Sequence, residues 1–545
     1  MPGSLFRQND ASVAVPVLND CSRRRDISPV DRSSATVEHP PSDPSTEPSW
    51  KARPWLRLSS LLIAITAVLL VYSQTMAFVW DEGFHLLAAQ LIAHGRRPYL
   101  DFCFPQTPLN AYWNAAWMSV FGESWRVTHI AATLLTAGSV FLSAEYVLRA
   151  FPVPRWRLAC AITVAVLAGL NTIVVEFGTI AQAYGMGLFF TVAAFRATIA
   201  AVDSKARFPA LLAGVLAGAA AASTLLTVAA LPVLLIWLFV YGQRDGRWTK
   251  ACWFAAGAAI PFAPVLWLFA IAPRQVFFNI VQYQAVFRRV KWNSATTHDI
   301  DVLSAWLDSG QALSLGLLAI LGAWFLARKS GWRREVRGEF YLAGWLAVAL
   351  AAYIAAAHPT FQRYFIFVAP FASIVAAAGV YFTGTLFSPN GTRTAAAVVC
   401  SLMILSLARA LFNDRDSVKW NEYEQIASKV DQVTPPSATL YADEQVYFLT
   451  QRTPPPGMEF SYAHKLELPL DEQRLFHIIS DSRLAEEVKA GRFDTVQSCN
   501  EDRMEELNLV NLYRHKADIG DCSIFWGKVV PQHAQPPPAK PTPKP

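Results

Sequence analysis

Apolar runs of ~20 residues, separated by short polar breaks, organise this chain from about residue 57 to residue 412. At 1.5 Å per residue, a helix of that length crosses a hydrocarbon layer of ~30 Å. The pattern predicts spans near 57–77, 127–148, 158–175, 182–201, 252–271, 309–327, 340–357, 364–385 and 395–412. One further run, 208–241, is uninterrupted and has cations at both ends, Lys205/Arg207 and Arg244/Arg247/Lys250. As a single helix it would be ~50 Å long, so two short crossings are expected there, giving about eleven spans in all. After residue 412 the pattern changes. "ATLYAD", "FDTVQS" and "CSIFWGKV" have strand character, and "DSRLAEEVKAG" and "NEDRMEELNLV" have helical character. The expected fold class is therefore an all-α polytopic membrane bundle at 57–412, followed by a small α/β domain at 413–530.

Composition agrees with that reading. Of 545 residues, 53% are hydrophobic and only 16% charged, with a mean hydropathy of +0.27. A soluble chain carries about a quarter charged residues. The net charge of +6 is no argument for nucleic acid, because the cations sit mostly in short loops such as "SRRRD", "KARPWLR" and "ARKSGWRREVRG". Such loops face the cytoplasm in polytopic proteins, which orients the N-terminus inside and places 78–126, 272–308 and the C-terminal domain outside. Residues 1–56, rich in Pro, Ser and Arg and without an apolar leader, are expected to be a disordered cytoplasmic tail. The Pro-rich 531–545 is expected to be extended or disordered.

None of the seven cysteines has CxxC spacing, and Cys160, Cys252 and Cys400 lie in apolar runs as small hydrophobes. Cys499 and Cys522 share the polar C-terminal region, where a disulfide is feasible if that region lies outside the cytoplasm.

The same topology gathers polar groups on the outer face. Asp81 and Glu82 follow the first span, and "EGFHLLAAQLIAHG" then has helical spacing closed by a glycine. Acids at a membrane boundary are either ordinary interfacial charges or functional groups, and both readings stand at this level. Arg96, Arg97, Asp101 and Gln106 continue the loop, while Glu176 and Gln182 border the next short turn. The second outer loop carries "FRRVKW", with Arg288, Arg289 and Lys291, against the usual charge bias. Outer cations of this kind suit either a phosphate or an interfacial helix resting on lipid headgroups. His358, Arg363 and Tyr364 mark a third outer turn, where His358 and Arg363 are either site residues or snorkelling side chains.

The stretch "DEGFHLLAAQLIAHGRRPYLDFCFPQTPLNAYWNAAWMSVFGESWRVTHIAATLL" resembles the first outer loop of GT-C glycosyltransferases. Closest in pattern is the glycosyltransferase 39 type, which includes protein O-mannosyltransferases and the lipid A aminoarabinose transferase. The shared features are the acidic pair, a helix ending in Gly, "RPYLDF", a proline turn and a terminal "FG"; "PQTPL" departs from the more usual Gln-Pro-Pro by having Thr107. "HPTFQRYFIFVAP" is similar to a second feature of the family, a basic, aromatic turn before a proline-bearing span.

The resemblance implies an inverting glycosyltransferase that takes sugar from a polyprenyl-phosphate donor to an acceptor outside the cytoplasm, in a bacterial inner membrane with a periplasmic C-terminal domain. It implies Asp81 as base with Glu82 as helper. Arg288, Arg289, Lys291 and Arg363 would meet the phosphate, with Arg97, Asp101, Gln106, His358 and Tyr364 around the substrates. Arg and Lys suffice for a monophosphate leaving group, so no metal is required, although two adjacent acids are able to hold a divalent ion. The alternative class is a transporter or flippase for an anionic lipid-linked sugar.

Overall fold

The computed structural model describes residues 52–77, 79, 81–242, 246–328 and 334–529. Most of the predicted N-terminal tail, all of the Pro-rich end, and part of "ARKSGWRREVRG" lie outside the described residues.

Every predicted span is helical. The first helix, α1 (Ala52–Thr75), starts earlier than the pattern suggested, and two helices not destined to cross follow it, α2 (Glu82–Ala93) and α3 (Leu109–Phe121). Gly95 ends α2 at a φ of +82°, the conformation the terminal glycine predicts. The chain returns through α4 (Trp125–Ala150), then α5 (Arg157–Gly169) and α6 (Thr172–Gly178), which are bent by 55° against each other. Next come α7 (Tyr184–Asp203), α8 (Phe208–Ser223) and α9 (Ala230–Tyr241). The run 208–241 breaks at Thr224, whose backbone is extended at φ −155° and ψ 131°.

Helices α10 (Arg247–Ala259) and α11 (Ala263–Ile271) form one crossing. Short pieces α12 (Pro273–Phe277), α13 (Tyr283–Ala285) and α14 (Ala295–Ser304) lead to α15 (Gly310–Ala327), α16 (Arg334–Ala355), α17 (Ala369–Phe387) and α18 (Gly391–Asn413). Among the described residues, eight helices are long and apolar enough to cross a membrane, and the bent α5/α6 pair makes a ninth. The two halves of 208–241 are shorter apolar helices. This is an integral membrane protein.

Helix contacts follow the small-residue rule for bilayers, where close backbone approach replaces hydrophobic drive. A Cβ on Gly214 of α8 would stand 2.0 Å from the Phe254 carbonyl oxygen of α10. On α17, a Cβ on Gly379 would stand 2.1 Å from the Leu318 oxygen of α15.

Both interruptions of apolar runs are satisfied internally, as backbone in a bilayer must be. At the α5/α6 bend, Gln311 accepts from the Thr172 N–H at 2.8 Å and donates to the carbonyls of Leu170 and Met403 at 3.2 and 3.0 Å.

The C-terminal domain contains α19 (Trp420–Val433), β1 (Leu440–Tyr441), α20 (Glu444–Thr450), α21 (Leu470–Phe476), α22 (Asp481–Lys489), β2 (Thr495–Ser498), α23 (Glu501–Glu506), α24 (Leu509–Leu512), β3 (Tyr513–Ile519) and β4 (Cys522–Lys528). The sheet order is β1-β2-β4-β3, parallel between β1 and β2 and otherwise antiparallel. Strand β3, "YRHKADI", lies outside the predicted set, because an edge strand leaves most of its polar side chains in solvent and shows little apolar alternation. A disulfide joins Cys499 to Cys522. The domain shares a core with the bundle: Phe84 and Leu87 of α2 pack in one cluster with Tyr447, Phe460 and Phe476.

Candidate functional site

Where α2 begins, the chain departs from helix-capping habit. Asp81 occupies the N-cap, yet its side chain caps nothing in α2. Its carboxylate is taken up elsewhere. Arg363 donates to Asp81 Oδ2 at 2.7 Å and to the Tyr184 hydroxyl at 3.2 Å. The hydroxyl of Tyr462, from the C-terminal domain, donates to Oδ1. Asp81 is thus oriented by three partly independent parts of the fold: the start of α2, the turn before α17 and the C-terminal domain.

Asp81, Tyr184 and Arg363 line a cavity of about 400 Å³ at the end of the bundle that carries the C-terminal domain. The volume is within the usual range for small-molecule sites. One wall is the break after α8, Thr224 to Leu226, so the interruption of the 208–241 run is also a piece of the cavity. Another is the 3₁₀ turn Gln362–Phe367, which follows a cis His358–Pro359 peptide. Arg288 reaches in from the loop between α13 and α14, donating to the Tyr364 hydroxyl with its guanidinium 5.3 Å from the centre of the Phe361 ring. Among the described residues Arg288 has no carboxylate partner.

Of the residues predicted from sequence, Asp81, Gln106, Arg288, His358, Arg363 and Tyr364 meet around this cavity. The other five do not. Glu82, adjacent to Asp81, turns into the protein interior and is fully buried. Its Oε1 lies 2.5 Å from His129 Nε2 and accepts the Ala181 N–H at 2.9 Å, while Trp420 Nε1 donates to Oε2 at 3.3 Å. His129 Nδ1 is 2.8 Å from the Ser73 carbonyl oxygen, which only accepts, so Nδ1 carries a proton and donates it there. Arg97 pairs with Asp101 at 3.0 Å in an exposed turn. Arg289 donates to its own loop at the Ala285 carbonyl, and Lys291 reaches Glu467 at 3.4 Å on the surface.

Several contributors had no sequence signal strong enough to single them out. Asp299 pairs with His358 and accepts the Thr360 N–H at 2.7 Å, fixing the turn before Arg363. Tyr462 lies in a stretch, "FSYAHK", without any recognisable motif. His85 faces the cavity one turn into α2, and burial pushes its imidazole down to about 3, so the ring is neutral.

A second, larger space of about 700 Å³ lies beside the first, lined in part by Glu176, His298, Gln311 and Arg409. Arg363 borders both.

No family model and no curated protein matches the sequence. Solved structures match its fold. ArnT from Cupriavidus metallidurans bound to undecaprenyl phosphate superposes with a TM-score of 0.63 at 15% identity, covering 87% of this chain and 98% of that one. The oligosaccharyltransferase AglB from Archaeoglobus fulgidus, in complex with an inhibitory peptide and a dolichol-phosphate, gives 0.51 at 12% identity, covering 85% and 71%. The chain has the GT-C glycosyltransferase fold, as its first loop resembled in sequence.

Proposed function

We propose that this protein is an inverting glycosyltransferase that moves a sugar from a polyprenyl-phosphate donor to a hydroxyl acceptor at the non-cytoplasmic face of a bacterial inner membrane. The observation that carries the reading is the convergence of Asp81, Arg363 and Arg288 on one membrane-level cavity. Bound undecaprenyl phosphate in the Cupriavidus structure and dolichol-phosphate in the Archaeoglobus one support a lipid phosphate as donor.

In this scheme the acceptor oxygen attacks the anomeric carbon opposite the phosphate. The bond from that carbon to the phosphate oxygen breaks, the acceptor proton passes to Asp81, and polyprenyl phosphate leaves as a monoester. Arg288 and Arg363 meet the charge that grows on the leaving oxygen, and they are preorganised by Tyr364 and by Tyr184 and Asp81. The phosphodiester donor carries one negative charge, and two guanidiniums answer it without a metal.

The test is reconstitution of the full-length protein in liposomes with undecaprenyl-phosphate-linked radiolabelled hexoses and a membrane extract as acceptor. Release of undecaprenyl phosphate with label passing to the acceptor is expected. Movement of intact donor across the bilayer without bond cleavage would instead establish a flippase and overturn the reading.

A further inference from the structure

Three residues that line the same cavity each carry a buried polar atom without a hydrogen-bond partner among the described residues: His85 Nδ1, Thr107 Oγ1 and Gln182 Nε2. Their residues are 6%, 3% and 3% exposed. Buried polar atoms in native folds are nearly always paired, so three orphans on one cavity wall point to a polar occupant.

The segments that carry them are held firmly. Pro105 and Gln106, just before Thr107, have their carbonyls bound by Gln284 at 2.5 Å and Tyr99 at 2.6 Å. Asn279 accepts the Phe104 N–H at 2.9 Å. Ala181, just before Gln182, is bound on both sides of its peptide backbone: its N–H by Glu82, its carbonyl by Asn110 and Asn114 at 2.9 and 2.8 Å. His85 is fixed within α2 and packs against Phe84 and Phe104, ring centres 4.2 and 5.9 Å away. The orphans therefore cannot swing onto one another, and the wall is built for a ligand.

The chemistry of that wall is neutral. An imidazole, a hydroxyl and a carboxamide offer donors and acceptors without charge, which is the complement of a sugar hydroxyl. Charge balance across the cavity agrees. Leaving aside His358, whose counter-ion Asp299 comes with it, the lining has one carboxylate and two guanidiniums. That single excess positive charge matches one phosphodiester and leaves nothing for an amine or a carboxylate on the sugar.

We infer that His85, Thr107 and Gln182 form the seat of the donor sugar and that this sugar is uncharged, read through its hydroxyls. The inference rests on the proposed lipid-linked transfer. Here Thr107, the residue that departs from the Gln-Pro-Pro pattern, becomes part of the recognition surface.

The experiment titrates the full-length protein in nanodiscs with undecaprenyl phosphate. Parallel titrations use undecaprenyl phosphate linked to glucose, mannose or galactose, to 4-amino-4-deoxyarabinose and to glucuronate. A neutral hexose should bind about tenfold more tightly than the bare lipid phosphate, and tighter than either charged sugar. Thr107→Val, Gln182→Leu and His85→Phe should each lose most of that increment while keeping the wild-type affinity for undecaprenyl phosphate, which also reports that they fold. An undiminished increment in all three variants overturns the seat alone. Tightest binding of the amino sugar or the glucuronate overturns the neutral-sugar assignment. Failure of undecaprenyl phosphate itself to bind overturns both this inference and the transferase reading.

Discussion

Asp81 and Glu82 are consecutive in the chain, and their carboxylates end in two different media. Asp81 faces a cavity, its side chain 21% exposed, and is held by donors from Arg363 and Tyr462. Glu82 is sealed in the core between His129, Trp420 and the Ala181 backbone. At the start of a helix successive side chains diverge by about 100°, so an acidic pair need not be a working pair. One carboxylate faces the cavity. Its neighbour fixes the loop that carries Gln182. Proximity in sequence concealed that division, and only the packing of α19 and α4 around Glu82 reveals it.

The sharpest way to break the comparison is to neutralise each acid in turn. Asp81→Asn is expected to cut transfer by about 100-fold or more, the scale of a lost general base. Its melting temperature should stay near the wild-type value, and undecaprenyl phosphate should bind at least as tightly, because the cavity loses its one carboxylate charge beside Arg363. Full transfer by that variant would remove Asp81 as the base.

Glu82→Gln should behave differently, lowering thermal stability and activity together by about 1–3 kcal/mol as one acceptor oxygen of the buried network is replaced by a donor. A variant that melted normally yet transferred nothing would contradict the positional role given to Glu82.

Smaller effects separate the cations. Arg288→Ala should lower kcat about tenfold and raise the KM for donor by a smaller factor, because it removes a contact to phosphate that strengthens as charge grows on the leaving oxygen. An unchanged kcat would remove Arg288 from the leaving-group side of the reaction. The least change is expected from Arg97→Ala, which breaks only a surface pair with Asp101. Its transfer rate should be indistinguishable from wild type, and a clear loss would bring that turn back into the site.

Much of the architecture was legible because bilayer physics leaves few choices. Hydropathy located the helices, and the length of 208–241 forced a break whose backbone now walls the cavity. Helical spacing and the closing glycine located α2. The site was legible only in part. Asp81, Arg288 and Arg363 share a chemistry that charge patterning exposes, whereas Arg289, Lys291 and Arg97 share the same pattern and face away. Rotation of a side chain about a loop backbone has no periodic signature. Asp299 and Tyr462 join the site through tertiary contact across 59 and 381 positions of sequence, and no local pattern reports that.

The hydrogen bond from Tyr462 to Asp81 also has a consequence for biogenesis. Asp81 emerges from the ribosome after the first span, and Tyr462 only after the last. Until the C-terminal domain follows the last span, Asp81 lacks one of its two donors. A nascent chain therefore holds every span before it holds a finished site, and truncations that stop at the end of α18 should yield a membrane bundle with an open, misaligned carboxylate.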